Sequence, residues 1–320
     1  MTAAESAVAG RPPGTVAVAL MTAGLALLLA LTWIFSGLAV EQAEPATVAA
    51  GRSFFSCVGI LFLAGRSRGA MRRSWDLVRT RTPSLLLSGA LGVAVYALAS
   101  LSAIALLGIS VPNLLLTSTP LLTLGLGALF FRARPVLAAV LGALLATLGA
   151  AGYVLLSLQA NDDVPETQLL TGVLLALGAA AAMAVYGLHY ARLSQGHDPV
   201  DLLPGIFGYG TVLLLAVLAM TGQLGELGRL APESWLLLVL LGVVIYVPVY
   251  VLQHRLIHAR GAMYTATISL LVPFVVRFLQ VLLLGGAWPS LPEWLTMILC
   301  VAGVLLVIRH PARSAVRTGA

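Results

Sequence analysis

Two stretches of the chain, LLSGALGVAVY at residues 86–96 and LLLVLLGVVIY at residues 236–246, match each other at a spacing of 150 residues. The other matches, at spacings of 150 or 153, are Leu25–Leu27 with Leu175–Leu177, Gly108 with Gly261, and Pro120 with Pro273. Self-similarity at a nearly constant spacing is typical of an internal repeat. The chain is therefore predicted to consist of two related halves.

The amino-acid composition predicts whether these halves lie in water or in a membrane. Of the 320 residues, 60% are hydrophobic and 9% are charged, and the mean hydropathy is +1.01. A soluble domain has about 25% charged residues, so the composition excludes a soluble enzyme, a nucleic-acid-binding module and a disordered chain. An integral membrane protein remains, and its lipid bilayer is the first predicted partner.

Apolar runs of about 20 residues are long enough to cross a bilayer as helices. Pro and Gly residues separate ten such runs, which cover residues 15–40, 46–64, 83–107, 110–131, 135–158, 169–193, 200–220, 233–257, 261–284 and 291–308. The predicted fold class is all-α integral membrane, with ten transmembrane helices in a 5+5 inverted repeat. The predicted domains are residues 1–158 and 159–320, each with five helices.

The arginines predict the orientation. All 18 basic residues are Arg, and fifteen of them fall on one side if the N-terminus is cytoplasmic, six of them between residues 66 and 81. Eight of the twelve acidic residues fall on the opposite side. This asymmetry indicates that both termini are cytoplasmic. The net charge of +6 thus reflects topology. The basic linker 66–81 is interpreted first as a determinant of topology, with binding to anionic lipid headgroups as the secondary alternative, and no nucleic-acid partner is expected.

Five helices per half is an odd number, so the second half enters the membrane inverted relative to the first. Inverted repeats are typical of secondary transporters, whose two halves exchange conformations around a central site. Gene duplication also builds proteins that transport nothing, but the pattern favours transport.

The chain resembles the drug/metabolite transporter superfamily, specifically its EamA-type ten-helix members, over residues 15–308. The features that carry the resemblance are the 5+5 arrangement, Trp33, Arg52, and the stretches TSTPLL at 117–122 and SLLVPF at 269–274. The family's Gly-Glu pairs after these prolines are replaced by Arg132-Ala133 and Gly285-Gly286. Any role of those glutamates is therefore not carried over.

Polar and aromatic side chains deep within the apolar runs are candidates for a substrate site, because polar groups in a membrane face the helix bundle or water. The predicted substrate-binding residues are Trp33, Tyr96, Asn113, Thr117, Tyr186, Tyr246, Ser269 and Arg277. The alternatives are that Ser and Thr bond to helix carbonyls and that the aromatic residues pack in the core.

Two arginines, Arg52 and Arg277, lie well inside apolar runs, away from their cytoplasmic ends. Arg277 is predicted to anchor a carboxylate or phosphate of the substrate, because no acidic residue lies in the core of a run to pair with it. The alternative is a bond to carbonyls that Pro273 leaves free. For Arg52 a structural role is favoured, with loop carbonyls, Glu41 or Glu44 as partners.

The sequence contains no recognisable catalytic or metal-binding set. His254 and His258 have metal-ligand spacing but no acidic partner, so they are interpreted as lining a cytoplasmic mouth, and no metal is expected. Cys57 and Cys300 lie in apolar runs and predict no disulfide framework. Neither an enzymatic activity nor a cofactor is predicted.

The resemblance implies alternating access around a cavity lined by the first, third, fourth, sixth, eighth and ninth runs. Pro120, Pro248 and Pro273 are the predicted hinges. The expected partner is a small carboxylated or amino-acid-like metabolite, exported across a bacterial cytoplasmic membrane by a monomer or homodimer. The absence of a carboxylate from the cores of the runs predicts downhill transport. A lipid flippase and a drug efflux carrier remain as alternatives.

Overall fold

The computed structural model describes residues 15–67, 69–131, 136–158, 165–284 and 288–310. Every regular element within these ranges is helical, and no strand occurs in them, which confirms the all-α prediction for this part of the chain. The helices are α1 (Thr15–Val40), α2 (Pro45–Arg66), α3 (Ala70–Thr80), α4 (Thr82–Leu107), α5 (Ser110–Leu116), α6 (Thr119–Phe131), α7 (Leu137–Leu158), α8 (Glu166–Leu193), α9 (Pro199–Met220), α10 (Leu224–Leu227), α11 (Pro232–Arg260), α12 (Ala262–Ile268), α13 (Val272–Leu284) and α14 (Leu291–Arg309).

Seven helical segments of the described residues are long and apolar enough to cross a membrane. They are α1, α2, α4, α8, α9, α11 and the segment Ala262–Leu279, which contains α12 and the first part of α13. Two further apolar segments, Leu137–Tyr153 of α7 and Leu291–Val307 of α14, are shorter. Large apolar side chains cover the outside of the bundle, as expected of a surface that contacts lipid; examples are Leu20, Phe62, Leu148, Leu170, Leu236 and Ile298.

The predicted run 110–131 is divided into α5 and α6 by a break at Thr117 and Ser118. The cause is Pro120, which has no N–H to donate to the carbonyl of Leu116. The hydroxyl of Thr119 donates to that carbonyl instead, at 2.6 Å. The corresponding Pro273 follows a 3-10 turn at Ser269–Leu271, so both halves change helix geometry just before this proline.

Two π-helical segments occupy matching places in the two halves, Ala90–Val95 within α4 and Leu240–Tyr246 within α11. Each contains a glycine against which a neighbouring helix packs. A Cβ at Gly92 would lie 2.6 Å from the ring of Tyr186, and one at Gly242 would lie 2.7 Å from the carbonyl oxygen of Arg52. These glycines are therefore required by close helix contacts.

The ends of α4 and α11 also correspond. Gly108 and Gly261 follow them with φ angles of 70° and 89°, in the left-handed region that glycine tolerates best. Their N–H groups donate to the carbonyl oxygens of Ile104 and Ile257, both at 2.8 Å. The same glycine cap thus ends α4 and α11, which correspond to the third apolar run of each half.

The packing places α7 and α14 against each other along their length, beside the remaining helices. Elsewhere α2 packs on α9, α4 on α8, and α1 on α11 and α13. One correction concerns residues 66–81, which the sequence predicted only as a linker: they contain α3. The positions Arg132-Ala133 and Gly285-Gly286, and residues 159–164 of the linker between the halves, lie outside the described residues.

Candidate functional site

A cavity of about 70 Å³ lies where the two halves meet. Six apolar runs contribute to its wall, namely the first, third, fourth, sixth, eighth and ninth, whereas the described side chains of α7 and α14 do not. The lining residues are Leu25, Leu29, Trp33, Tyr96, Asn113, Leu116, Thr119, Thr123, Met183, Gly187, Gln253, Ile257, Ala262, Thr265, Ala266, Ser269 and Val272. The helix changes before Pro120 and Pro273 place Thr119 and Ser269 at this wall.

Four of the eight predicted substrate residues line this cavity: Trp33, Tyr96, Asn113 and Ser269. The other four lie outside its wall: Thr117, Tyr186, Tyr246 and Arg277. Sequence reasoning did not select Gln253 or Met183, which lie on α11 and α8. Their positions have no distinguishing pattern in the sequence, because the wall is set by which helix faces meet.

The wall combines apolar and aromatic surface with uncharged hydrogen-bonding groups. Its polar groups include the amides of Asn113 and Gln253 and the hydroxyls of Thr119, Thr123, Thr265 and Ser269. Amides both donate and accept hydrogen bonds. None of the described lining residues is charged. Such a wall suits a small, partly apolar organic molecule with a few polar groups.

Aromatic rings form a buried column along α11. Tyr246 stacks on Tyr250 with 5.8 Å between ring centroids, and Tyr250 stacks on His254 at 5.6 Å. The imidazole Nε2 of His254 bonds to the hydroxyl of Tyr186, and its Nδ1 bonds to the carbonyl oxygen of Tyr250. The hydroxyl of Tyr250 donates to the carbonyl oxygen of Gly92 in the π-helical segment of α4, at 2.9 Å. The column ties the third, sixth and eighth runs together.

The two histidines predicted at a cytoplasmic mouth have different surroundings. His254 is completely buried in this column and is not part of the cavity wall, so the prediction is wrong for His254. His258, one turn later, is exposed. The spacing of four residues puts both histidines on one face of α11, but it does not show that His254 contacts Tyr186.

Arg52 is 3% exposed and has partners within the bundle. Its Nη1 donates to the hydroxyl of Ser36 at 3.2 Å, and its guanidinium carbon lies 4.6 Å from the ring centroid of Tyr246. Neither Glu41 nor Glu44 forms an ion pair with it among the described residues. The structural role is therefore consistent with its contacts, with partners other than the predicted ones.

Arg277 lies on α13, beyond the cavity. It is five residues past the lining residue Val272, or about 8 Å along a helix. Its Nε is buried and has no hydrogen-bond partner among the described residues. A buried guanidinium N–H without a partner is costly, so this group is available to a ligand that approaches it.

Two reciprocal polar contacts fix the linkers at the ends of the bundle. After α9, the Glu226 carboxylate accepts hydrogen bonds from the Thr47 hydroxyl and, at 3.0 Å, from the N–H of Glu44, at the start of α2. After α2, Arg73 donates to the Asp201 carboxylate near the start of α9, at 2.8 and 3.0 Å. These hydrogen bonds raise the pKa of the Arg73 guanidinium. Each half thus forms hydrogen bonds with the start of a helix of the other half, namely α2 and α9.

No group of three or more His, Cys, Asp or Glu side chains with the geometry of a metal site occurs among the described residues. Cys57 and Cys300 are both free thiols. The Sγ of Cys300 donates to the carbonyl oxygen of Leu270 at 3.2 Å, so this thiol has a packing contact within the bundle.

Comparison with known proteins identifies the family. The model of the EamA-like transporter family matches residues 16–155 and again residues 170–309. One solved crystal structure has the same fold, with a TM-score of 0.69 at 20% identity over 92% of this chain and 97% of that chain. No curated protein matches the sequence. Since the two family matches together cover most of the chain, it belongs to the EamA-like transporter family, a group of membrane transporters within the drug/metabolite transporter superfamily.

Proposed function

We propose that this chain is a secondary transporter that exports a small organic metabolite by alternating access. The observation that carries the proposal is the cavity between the two halves, whose wall combines Trp33 and Tyr96 with the amides of Asn113 and Gln253. A cavity of about 70 Å³ holds only a few water molecules. It must therefore enlarge before an organic substrate enters.

The arrangement that we propose for this motion is ten membrane helices in a 5+5 inverted repeat, with halves at residues 1–158 and 159–320. In this arrangement the seven long apolar segments, the shorter α7 and α14, and the broken pair α5 and α6 would be the ten crossings. The matching π-helical segments and glycine caps support the repeat. The reciprocal contacts of Glu226 and Arg73, one at the start of α2 and one at the start of α9, support its inversion.

The hinges of the motion are Pro120, Pro248 and Pro273. Each follows directly on a local change of helix type: the break before α6, the π-helical segment of α11 and the 3-10 turn before α13. Because proline removes a backbone hydrogen bond, bending at these points breaks fewer bonds than bending elsewhere in the helix.

The substrate that we propose is a carboxylated or amino-acid-like compound, and Arg277 is its anchor. Ser269, Pro273 and Arg277 follow one another at intervals of four residues, which places them on one face of the helical path. Bending at Pro273 would join the Arg277 guanidinium, whose Nε is buried and without a partner among the described residues, to the cavity wall that Ser269 already lines. A guanidinium binds a carboxylate through two parallel hydrogen bonds, which Lys does not reproduce.

The location that we propose is the bacterial cytoplasmic membrane. The function is tested by a metabolite-release screen that compares overexpressing cells, deletion cells and cells with Arg277 variants. Overexpression is expected to increase release of one or more carboxylated metabolites. Arg277→Lys should weaken this release, and Arg277→Leu should nearly abolish it while the Tm stays similar or rises, because a buried unpaired donor is removed.

The matched control is Arg260→Leu, which changes an exposed arginine just before α12. Its release should equal that of the original chain. A stable Arg277→Leu protein that still releases the same carboxylated metabolite at the original rate would disprove the anchor. Equal metabolite release from overexpressing and deletion cells, across neutral and charged compounds, would argue against export itself.

A further inference from the structure

Helix α3 is held firmly on one side of the bundle. Its Ala70, Ser74 and Leu77 are buried. Arg73 adds a two-bond ion pair with Asp201, whose side chain is 6% exposed. A helix fixed in this way presents its remaining faces in a defined orientation.

The opposite side of α3 and the adjacent end of α2 carry arginines paired with exposed aromatic rings. The guanidinium carbon of Arg79 lies 5.3 Å from the ring centroid of Trp75, and that of Arg66 lies 5.4 Å from the ring centroid of Phe62. Trp75 is 57% exposed and Phe62 is 65% exposed. We call this the arginine–aromatic surface; it comprises Phe62, Arg66, Met71, Arg72, Trp75 and Arg79.

The arginines of this surface have free hydrogen-bond donors. The side chains of Arg66, Arg72 and Arg79 neither donate a hydrogen bond to another described residue nor form an ion pair with one. A guanidinium that lies over an aromatic ring still directs its N–H groups outward in its own plane, where a phosphate oxygen fits. Between residues 66 and 81 the sequence contains six arginines and one acidic residue, Asp76. The surface is therefore complementary to phosphate-bearing anions.

The position of the surface indicates where that anion comes from. Phe62 continues the apolar exterior of α2, on which Phe54, Val58 and Leu61 are also exposed. The arginines begin where this apolar exterior ends, at Arg66. Exposed Trp and Arg side chains at the end of a membrane helix are typical of the headgroup layer of a bilayer.

We propose that the arginine–aromatic surface binds the headgroups of anionic phospholipids in the membrane leaflet next to α3. The Arg66, Arg72 and Arg79 guanidiniums bind phosphodiester oxygens, while Trp75 and Met71 contact the upper parts of the acyl chains. This interaction is separate from the central cavity, since none of these residues lines it.

The test uses the purified full chain in neutral maltoside micelles, with fluorescent phosphatidylglycerol and phosphatidylcholine as probes and anisotropy as the readout. The expected result is tighter binding of phosphatidylglycerol, which weakens as salt is added. Arg72→Gln/Arg79→Gln should weaken phosphatidylglycerol binding by about 25-fold, because each arginine near an anionic surface contributes about a fivefold factor. Soluble glycerol phosphate at the same concentration should not compete, since it lacks acyl chains.

The matched control is Arg255→Gln/Arg260→Gln, which removes the same charge from exposed positions of α11 on the same predicted side. It should bind phosphatidylglycerol as the original chain does. Equal binding of the two lipids, or an equal loss in both double variants, would overturn the proposal. Competition by glycerol phosphate would also overturn it, by assigning the surface to a soluble anion. If Arg72→Gln/Arg79→Gln does not fold, the unchanged protein still tests the proposal, because its binding of phosphatidylglycerol must weaken as salt is added.

Discussion

Tyr186 and His254 form a hydrogen bond that the protein encloses completely, since both side chains are 0% exposed. A neutral imidazole has one donor and one acceptor nitrogen. Because Nδ1 faces the carbonyl oxygen of Tyr250, Nδ1 is the donor and Nε2 accepts from the Tyr186 hydroxyl. Tyr186→Phe therefore leaves Nε2 without a partner, and we expect the free energy of unfolding to fall by about 1–3 kcal/mol, measured as a lower Tm.

Tyr190→Phe is the matched control for this prediction. Tyr190 is also 0% exposed and lies on the same helix, with its ring 4.0 Å from that of His254. Its hydroxyl, however, has no hydrogen-bond partner among the described residues. Removing this hydroxyl should leave the Tm unchanged or raise it. Equal losses of stability in both variants would mean that the hydroxyl of Tyr186 contributes only by its volume.

These residues also show what the sequence could not predict about the site. Tyr186 lies deep in its apolar run, and its depth made it a candidate for substrate binding. Depth does not determine which way a side chain points, and here the ring faces α11. Trp33, Tyr96, Asn113 and Ser269 were selected by the same reasoning and do line the cavity. The sequence does not show how each helix is rotated about its own axis, because that rotation depends on the packing against the other helices.

At the scale of elements, α7 and α14 pack so closely that their backbones touch. A Cβ at Gly303 would lie 2.3 Å from the backbone nitrogen of Ala146 and 2.5 Å from the carbonyl oxygen of Gly142. Neither atom can move without the helix. Gly303→Ala should therefore separate the pair and lower the stability by about 1–3 kcal/mol, although Ala favours a helix over Gly. Thermal unfolding in detergent measures the change.

Gly178→Ala is the control, because Gly178 is also in the middle of a long helix and nothing lies within 4 Å of an added Cβ. It should leave the Tm unchanged or increase it, through the higher helix propensity of Ala. A Gly303→Ala protein that is as stable as Gly178→Ala would show that α7 and α14 separate at little cost.

Hydropathy predicted most helix boundaries within a few residues, because a bilayer requires long uninterrupted apolar runs. It missed features that leave the average hydropathy unchanged. The π-helical segments at Ala90–Val95 and Leu240–Tyr246 shift the backbone hydrogen-bond partners and not the composition. It also missed α3, whose inner face is made by only a few apolar or small residues. The break before Pro120 was signalled by the proline, which the sequence interpretation assigned to a hinge within a continuous helix.

At the scale of the whole molecule, the two halves exchange contacts at both ends of the bundle. Glu226 of the second half holds the start of α2, and Arg73 of the first half holds the start of α9. If the halves are inverted, these contacts lie on opposite faces of the membrane. The orientation of the chain then determines which contact faces the cytoplasm, and the arginine distribution predicts that it is the contact of Arg73.

Single-cysteine labelling in a background without Cys57 and Cys300 tests this orientation. Asp163→Cys should react with a membrane-impermeant thiol reagent in intact cells, because the linker between the halves is predicted to be outside. Asp76→Cys, at an exposed position of α3, should react only after the cells are permeabilised, since α3 is predicted to be cytoplasmic. Asp76 is a better probe than its neighbour Ser74, which is buried and would remain unlabelled on either side. The opposite labelling pattern would show that the chain has the reverse orientation in the membrane. Labelling of both positions in intact cells would place Asp76 and Asp163 on one face and contradict the inverted arrangement.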